Sequence, residues 1–349
     1  MVTPSLGTLA DPERHRDPVD IAGVSDTDLE QYLARMLLIR HAEQCLAVGR
    51  QQGLIGGPVH LGVGQEAVAV GVSAELRSTD RVFGAHRSHS HVLAMGSDVR
   101  ALFAEVLGKD TGLSRGMGGS MHLCDMPRGF YGSVPIVAGT VPIAVGAGLA
   151  AKMQGLDAIG VAYLGDGALE EGVVHESLNL ARVLDVPVLF VVENNLFASH
   201  MHISLRQPSD STARFAEANH IPFEVVDGND VVAVRKATAA LVSRSRAGGG
   251  PGFLEAVTYR WYGHVDWRED IDVGVDRSAK VLANWRQRDP VRRLVVGMDV
   301  AGKRGTGRLA ELDREIGAHV AAAWTQAMAD AYPSANVLLD RVYHASGTH

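Results

Sequence analysis

Two polar residues, Asp166 and Asn195, each follow a short apolar run typical of a buried β-strand, at 158–164 and 186–193. Because the carboxyl ends of neighbouring parallel strands share one edge of a sheet, we expect the two side chains to lie close together. A carboxylate and an amide oxygen are ligands that Mg²⁺ prefers. Gly167, directly after Asp166, would open a helix whose first N–H groups are free to bind phosphate. The spacing therefore predicts a magnesium–diphosphate site.

Two other interpretations of these residues remain open. Asp, Asn and Gly are common in ordinary turns, so either feature alone would indicate a turn. Gly146, Gly148 and Ala151 also match G-x-G-x-x-A, with Asp166 twenty residues beyond Gly146, which is typical of an NAD-dependent oxidoreductase. That fingerprint needs a strand directly before its first glycine, and Pro142 cannot donate to a sheet. Close helix packing is the interpretation we favour for these glycines.

A cluster of histidines, His86, His89 and His91, surrounds Arg87. Zinc binding is one hypothesis for it. The spacing is irregular and no cysteine pair accompanies it, unlike common structural zinc sites. The arginine within the cluster favours an anion instead.

The chain around these residues alternates between strands and helices. Strands are predicted at 158–164, 186–193, 223–226 and 252–259, with helices at 170–183 and 230–246. This alternation predicts an α/β fold, doubly wound, in which helices cover both faces of a mainly parallel sheet. Extra helices are predicted at both ends of the chain: from Ser25 or Thr27 to about 48, then at 65–76, 278–294 and 307–331.

The domain organisation follows from this pattern. Residues 1–24 are rich in Pro, Asp and Arg without periodicity and are predicted to be a flexible arm. Residues 25–349 are predicted to form a single domain with a C-terminal helical extension from about 278. The charged segment 263–277 is predicted to be a mobile loop.

Composition excludes several classes of protein. The 349 residues carry 33 Lys and Arg against 40 Asp and Glu, a net charge of −7, which is the wrong sign for binding nucleic acid or an anionic membrane through bulk charge. Cys45 and Cys124 cannot form a disulfide framework, and the N-terminus lacks the apolar core of a secretory signal, so we expect a cytoplasmic protein. The uncharged run 129–151 contains Pro135, Pro142 and five glycines, which favours a loop and a small-residue helix over a membrane span.

Several separated stretches resemble one known family. GDG at 165–167 followed by NN at 194–195 is similar to the thiamine diphosphate signature, and the likeness extends over about residues 27–332. The other matching stretches are HLGVGQEAVAVG (60–71), HRSHSH (86–91), SRGMGGSMH (114–122), VPIVAGTVPIAVGAG (134–148), DVPVLFVVENN (185–195) and YRWYGH (259–264). Together they resemble the alpha subunit of the decarboxylating first component of 2-oxoacid dehydrogenase complexes. Pyruvate, branched-chain 2-oxoacid and acetoin dehydrogenases share this pattern.

The resemblance implies a binding site for thiamine diphosphate and Mg²⁺. Asp166 and Asn195 would coordinate the ion through their side chains, and Phe197 through its carbonyl. The residues implied to meet the diphosphate are His86, Arg87, Gly167 and Ala168. His86 stands where the family usually has tyrosine.

The loop Pro135, Ile136 and Val137 matches the family's aminopyrimidine-binding loop. Because proline has no N–H, only the carbonyl of Pro135 can contribute there. His60, His89 and His264 match histidines around the reactive carbon and the acyl acceptor. Imidazole suits proton transfer near neutral pH. The other histidines singled out, expected to be structural or on the surface, are His91, His122, His175 and His220.

The resemblance also implies partners. In the family a separate beta subunit supplies the glutamate that activates the cofactor, so an α2β2 heterotetramer is expected, with a small 2-oxoacid substrate and acyl transfer to a lipoyl-bearing second component. Val265 stands where the family commonly has a regulatory serine, which excludes phosphorylation at that position. An acetoin-cleaving dehydrogenase is the main alternative, and a catalytically silent scaffold subunit is a further one.

Overall fold

A parallel β-sheet forms the centre of the protein in a computed structural model, which describes residues 5–271, 274 and 277–337. In chain order the strands are β1 (Arg81–Gly84), β2 (Phe130–Ser133), β3 (Gly160–Gly165), β4 (Val188–Asn194), β5 (Phe197–Ala198), β6 (Met201–His202), β7 (Phe223–Asp227) and β8 (Gly252–Val257). Six of them pair in the order β2-β1-β3-β4-β8-β7, and every pairing in that sheet is parallel. The short strands β5 and β6 form a separate antiparallel pair.

Helices pack on both faces of this sheet. The helices are α1 (Asp26–Gln51), α2 (Glu66–Ser73), α3 (His89–Ala94), α4 (Val99–Val106), α5 (Val141–Met153), α6 (Gly172–Val183), α7 (Ala213–Ala218), α8 (Val231–Arg244), α9 (Ala279–Arg286), α10 (Pro290–Val300) and α11 (Gly305–Ala329). Val161 and Tyr163 of β3 face the core that includes α1, α2, α8 and α11, whereas Ala162 and Leu164 face α5, α6 and α7. The predicted doubly wound α/β fold is confirmed.

The extra helices predicted near the two ends of the chain are present in the structure, with one difference. Ser25 caps α1 by accepting a hydrogen bond from the Asp28 N–H at 3.1 Å. The helix predicted over 278–294 is two helices, because Pro290 cannot continue α9 and Asp289 instead caps α10, accepting from the Val291 N–H at 3.0 Å. The remainder of the predicted C-terminal extension, residues 338–349, lies outside the described residues.

The first residues of the chain lie against the body of the protein. Within 5–24, the part of the predicted arm that the structure describes, Leu6, Val19 and Ile21 are buried. The Val19 N–H donates to the Arg293 carbonyl on α10 at 3.2 Å. These apolar residues have neither a helical nor a strand period, so the sequence pattern does not reveal their packing.

The uncharged run 129–151 folds as β2, a loop and the small-residue helix α5. Within the described residues no helix combines the length and apolar character that crossing a membrane requires. In the predicted mobile segment 263–277, the His264 N–H donates to Asp270 Oδ2 at 2.8 Å, and positions 272, 273, 275 and 276 lie outside the described residues.

The sheet order creates a crevice at the carboxyl ends of β1 and β3. The chain passes from β1 to β2, which lies on one side of β1, and then returns to β3, which lies on the other side of β1. Ligands of doubly wound sheets bind at such a switch point. The residues that follow β1, β3 and β4 are therefore the ones to inspect for chemistry.

Candidate active site

Asp166 and Asn195 line one cavity of about 370 Å³ at this edge of the sheet. Asp166 follows β3 directly and Asn195 follows β4, and the register pairs Gly165 with Glu193. Both side chains are buried, Asp166 being 1% exposed. The structure thus brings together the two residues that the strand spacing placed at a common edge.

Hydrogen bonds fix the orientation of the Asn195 amide. Its Nδ2 donates to Gln65 Oε1 at 3.2 Å, and its Oδ1 accepts from the Phe197 N–H at 3.2 Å. Gln65 lies directly before α2 and lines the same cavity. Gln65 belongs to the stretch 60–71 that resembles the family, but its contact with Asn195 could not be predicted from sequence.

Asp166 pairs with a cation that the sequence analysis missed. The guanidinium of Arg206 forms ion pairs with both Asp166 and Glu170. Gln207 Nε2 adds hydrogen bonds to the Asp166 carbonyl at 3.3 Å and to Glu170 Oε1 at 2.8 Å. Arg206 lies in an irregular segment without periodicity, so no sequence signal indicated this role.

The residues present fit a divalent cation and a phosphate group. Burial raises the pKa of the Asp166 carboxyl, and the charge of Arg206 opposes this shift. A desolvated carboxylate and an oriented amide oxygen that line one cavity are a hard oxygen donor set, which suits Mg²⁺. Position 167 requires glycine, because a Cβ there would lie 2.6 Å from the Ala198 Cβ.

One local prediction near Asp166 was wrong. A helix was expected to open at Gly167, but Asp166–Glu170 forms a 3-10 turn and α6 begins at Gly172. The cause is the extended backbone of Glu171, with φ −81° and ψ 131°, which separates the turn from the helix. Any backbone donors to a phosphate at Gly167 and Ala168 therefore belong to this turn.

Arg87 places a buried positive charge beside the cavity. It follows β1, and its guanidinium donates to the carbonyls of Leu61 at 2.6 Å and His264 at 3.2 Å. Burial lowers the pKa of Arg87 to about 10, so the group stays charged at neutral pH. Because these carbonyls carry only partial charge, the guanidinium remains available to an anion in the cavity.

Three histidines distant in sequence converge beside Arg87. The ring centroids of His60 and His86 lie 4.6 Å apart, those of His60 and His264 5.1 Å, and those of His86 and His264 5.5 Å. Burial, and then the charge of Arg87, lowers the pKa of His60 to about 2, of His86 to about 3 and of His264 to about 4. All three imidazoles are therefore neutral near pH 7.

His89 lies apart from these three histidines. Its side chain is fully buried, with Nε2 2.8 Å from Ser120 Oγ and Nδ1 3.4 Å from Glu43 Oε1. Glu43 also accepts the Gly62 N–H at 2.9 Å. Among the described residues that line the cavity, His89 is absent. It would therefore influence a reacting group only through other residues.

His91, expected to be structural or on the surface, lines the cavity. Its ring stacks on Tyr163 with a centroid separation of 3.8 Å, and its Nε2 lies 3.3 Å from Glu193 Oε1. Four residues separate the end of β1 from the short helix α3, and all residues of α3 are buried. The predicted trio of His86, His89 and His91 thus occupies three different environments.

The loop predicted to bind an aminopyrimidine only partly borders the cavity. Val137 lines it, as do Ala138 and Thr140. Ile136 is 72% exposed, and neither it nor Pro135 belongs to the described lining.

The glycines of the alternative dinucleotide fingerprint lie inside α5 and not at its start. A Cβ at Gly148 would lie 2.7 Å from the Pro187 carbonyl oxygen, whereas one at Gly146 would meet nothing within 4 Å. Gly148 therefore serves close packing of α5 on the sheet. The strand–turn–helix geometry that NAD binding requires is not formed by these residues.

Comparison with known proteins identifies the class to which this fold and site belong. The family model described as dehydrogenase E1 component matches residues 34–336, so the chain belongs to that family. The alpha subunit of acetoin:2,6-dichlorophenolindophenol oxidoreductase from Cupriavidus necator is 37% identical over 310 residues, 88% of this chain and 92% of the relative.

Other relatives carry the name pyruvate dehydrogenase E1 component subunit alpha, and two of them show how far the similarity extends. The one from Rhizobium meliloti is 36% identical over 314 residues, 90% of this chain and 89% of the relative. The somatic mitochondrial form from Homo sapiens is 33% identical over 315 residues, 90% of this chain and 79% of the relative. The resemblance to 2-oxoacid dehydrogenase E1 alpha subunits that the motifs indicated is confirmed.

Proposed function

We propose that this chain is the diphosphate-binding alpha subunit of a thiamine diphosphate-dependent 2-oxoacid dehydrogenase, which decarboxylates a 2-oxoacid such as pyruvate or a branched-chain 2-oxoacid. One observation carries the proposal: Asp166, Asn195, Arg87 and His264 border a single cavity in a chain of the dehydrogenase E1 component family. The substrate and cofactor come from the family and from the chemistry of these side chains.

The cofactor would be held by oxygen donors and by a buried cation. Asp166 and Asn195 would bind Mg²⁺ through their side chains, and Phe197 through its carbonyl. Arg87 and His86, with the backbone at Gly167 and Ala168, would bind the diphosphate, while the loop of Pro135, Ile136 and Val137 would receive the aminopyrimidine. When bound, thiamine diphosphate supplies an electron sink for the carbon–carbon bond that breaks as CO₂ leaves.

The neutral imidazoles of His60 and His264 would hold and move protons beside the substrate. Their low pKa values keep a lone pair available on each ring at neutral pH. Two backbone hydrogen bonds position His264, from its N–H to Asp270 and from Arg87 to its carbonyl. His89 would act at a distance, by bracing Glu43 and the backbone at Gly62.

An E1 alpha subunit implies a beta-subunit partner. We infer an α2β2 heterotetramer in which the beta subunit supplies the activating glutamate, and acyl transfer to a lipoyl group on a second component. The large apolar side chains of Ile136, 72% exposed, and Val137, 46% exposed, stand beside the cavity, and a partner subunit would cover them.

The test is co-expression with a candidate beta subunit, followed by a substrate screen with an artificial electron acceptor. The proposal is supported if the artificial acceptor is reduced and CO₂ is released only when a 2-oxoacid (pyruvate or a branched-chain one), thiamine diphosphate and Mg²⁺ are all present. Reduction with acetoin and without CO₂ would support the alternative activity named in the Cupriavidus necator relative. Retention of the cofactor without turnover of any substrate would indicate a silent subunit.

His264→Ala should lower the rate of acyl transfer while leaving cofactor affinity largely intact. His220→Asn is the matched control, because His220 is exposed and has a φ of 53°, a conformation that asparagine tolerates. Equal loss of cofactor affinity and turnover in His264→Ala would place this histidine in the binding site alone.

A further inference from the structure

The histidines His60, His86 and His264 form a group suited to a metal ion of a kind different from Mg²⁺. One ring nitrogen from each lies within 4.8 Å of the other two. Only a neutral imidazole can ligate a metal, and imidazole suits Zn²⁺, Cu²⁺ and Ni²⁺. The oxygen donors of Asp166 and Asn195 suit hard cations instead. The oxygen donors therefore line the cavity, and the imidazole group adjoins it, because His86 and His264 line the cavity and His60 packs against both of them.

The three rings also have free nitrogen atoms. His60 Nδ1 is buried and has no hydrogen-bond partner in the part of the chain that the structure describes. His264 makes its hydrogen bonds there through its backbone N–H and carbonyl, which leaves both ring nitrogens free. An unpartnered buried nitrogen is costly unless a ligand or water satisfies it. The His86 ring packs edge-on against both of the others.

We propose that His60, His86 and His264 bind one Zn²⁺ ion, with the fourth position open to water or an anionic oxygen. Zinc–nitrogen bonds of about 2.0–2.1 Å in a tetrahedron require ligand nitrogens roughly 3.3 Å apart. Rotation of the imidazoles about their side-chain bonds can supply the contraction from the present spacing. Three histidines with an open fourth position are an established zinc geometry.

The surrounding charges shape this site. The guanidiniums of Arg87 and Arg260 act on the histidines and disfavour a bare dication. An anionic fourth ligand, such as hydroxide or a carboxylate, offsets this repulsion. His86 completes the proposed zinc site, since a tyrosine at this position would leave only the imidazoles of His60 and His264.

Zinc at this site would occupy His60 and His264, which are assigned to proton transfer, and His86, which is assigned to the diphosphate, and would inhibit turnover reversibly. This consequence rests on the proposed function, whereas the binding itself does not. The experiment therefore measures binding directly, on the full chain together with any beta subunit with which it is purified.

The experiment is a titration with Co²⁺ in the presence of excess Mg²⁺, followed by visible absorption and by competition with Zn²⁺. We expect a saturable band at one Co²⁺ per chain that Zn²⁺ abolishes. His86→Gln and His60→Gln should each weaken binding by about tenfold or more, since even indirect metal-site partners contribute 10–100-fold. His86→Tyr, which inserts the usual family residue, is a second variant in case either of the others fails to fold.

Two controls separate this site from the Mg²⁺ site. Asp166→Asn should leave the Co²⁺ band unchanged, and His220→Asn should do the same. Folded His86→Gln and His86→Tyr proteins that bind Co²⁺ as tightly as the wild type would overturn the proposal. So would the absence of a saturable band, whatever the enzyme assay gives. Failure of the wild-type protein to bind thiamine diphosphate would count against the proposed function and not against the zinc site.

Discussion

The side-chain amide of Asn195 donates to Gln65 Oε1 at 3.2 Å, while its oxygen accepts from the Phe197 N–H at 3.2 Å. Gln65 thereby determines which end of the amide faces which neighbour. The Asn195 oxygen has two lone pairs, so one remains for a metal ion while the other accepts from Phe197. A glutamine from the segment before α2 therefore orients a proposed metal ligand at the end of β4.

Gln65→Leu should weaken the binding of Mg²⁺ in the presence of thiamine diphosphate by about 10–100-fold, the effect typical of residues that orient a metal ligand. Isothermal titration of Mg²⁺ at saturating cofactor measures this. Gln52→Leu, an exposed glutamine just after α1, is the control. Unchanged Mg²⁺ affinity in Gln65→Leu would mean that Asn195 needs no partner to orient it.

Arg206→Ala should destabilise the metal-free protein by about 3 kcal/mol, because it leaves the buried Asp166 carboxylate without its cation. Urea unfolding with and without Mg²⁺ and cofactor measures the effect, and we expect the added ligands to recover part of the loss. Arg314→Ala, on the exposed side of α11, should change stability by no more than about 0.5 kcal/mol. A similar small effect for Arg206→Ala would contradict its assigned role.

Two glycines of α5 provide a matched pair for the helix-packing interpretation. Gly148→Ala should destabilise the fold by about 1–3 kcal/mol, because its Cβ would lie 2.7 Å from the Pro187 carbonyl oxygen. Gly146→Ala, with nothing within 4 Å, should stabilise the helix by about 0.5–1 kcal/mol. Thermal unfolding of both variants measures the difference, and equal effects would show that Gly148 is not a packing contact.

The pH dependence of stability should report the buried imidazole of His60. Burial, Arg87 and the neighbouring histidines hold its pKa at about 2 in the fold, whereas an unfolded histidine has an ordinary value of 6.5. The unfolded chain therefore takes up a proton below about pH 6.5 that the folded protein refuses, so the His60 contribution is complete above that pH and is lost as pH falls.

His60→Gln removes the imidazole and with it this pH-dependent contribution to the free energy of unfolding. Between about pH 7 and about pH 5 the wild type should lose about 1–2 kcal/mol more stability than the variant. Urea unfolding at the two pH values measures it. The exposed His220→Asn should retain the wild-type loss, and a His60→Gln curve parallel to that of the wild type would contradict the low pKa.

Sequence reasoning located the parts of the site that continuous buried strands position. Asp166 and Asn195 follow β3 and β4, whose unbroken apolar runs identify them as strands of a parallel sheet. The strands β1 (RVFG) and β2 (FYGS) were missed because each offers only two apolar residues beside a glycine, a residue that is depleted in strands. Arg87 was nevertheless found through the family motif.

The contacts that depend on irregular segments could not be predicted. Arg206 reaches Asp166 from a segment with no helical or strand period, and Gln65 reaches Asn195 across 130 positions of the chain. The break at Asp289 and Pro290 was visible in principle, since aspartate before proline is a typical helix start. The convergence of His60, His86 and His264 depends on tertiary packing alone.

The central claim is that Asp166 binds a divalent cation that holds thiamine diphosphate. Equilibrium binding of thiamine diphosphate to wild type and to Asp166→Asn, with Mg²⁺ and with a chelator, tests it most directly in the complex with the beta subunit. We predict tight Mg²⁺-dependent binding by the wild type, abolished by the chelator and in Asp166→Asn. Full, Mg²⁺-responsive affinity in a folded Asp166→Asn protein would contradict the claim.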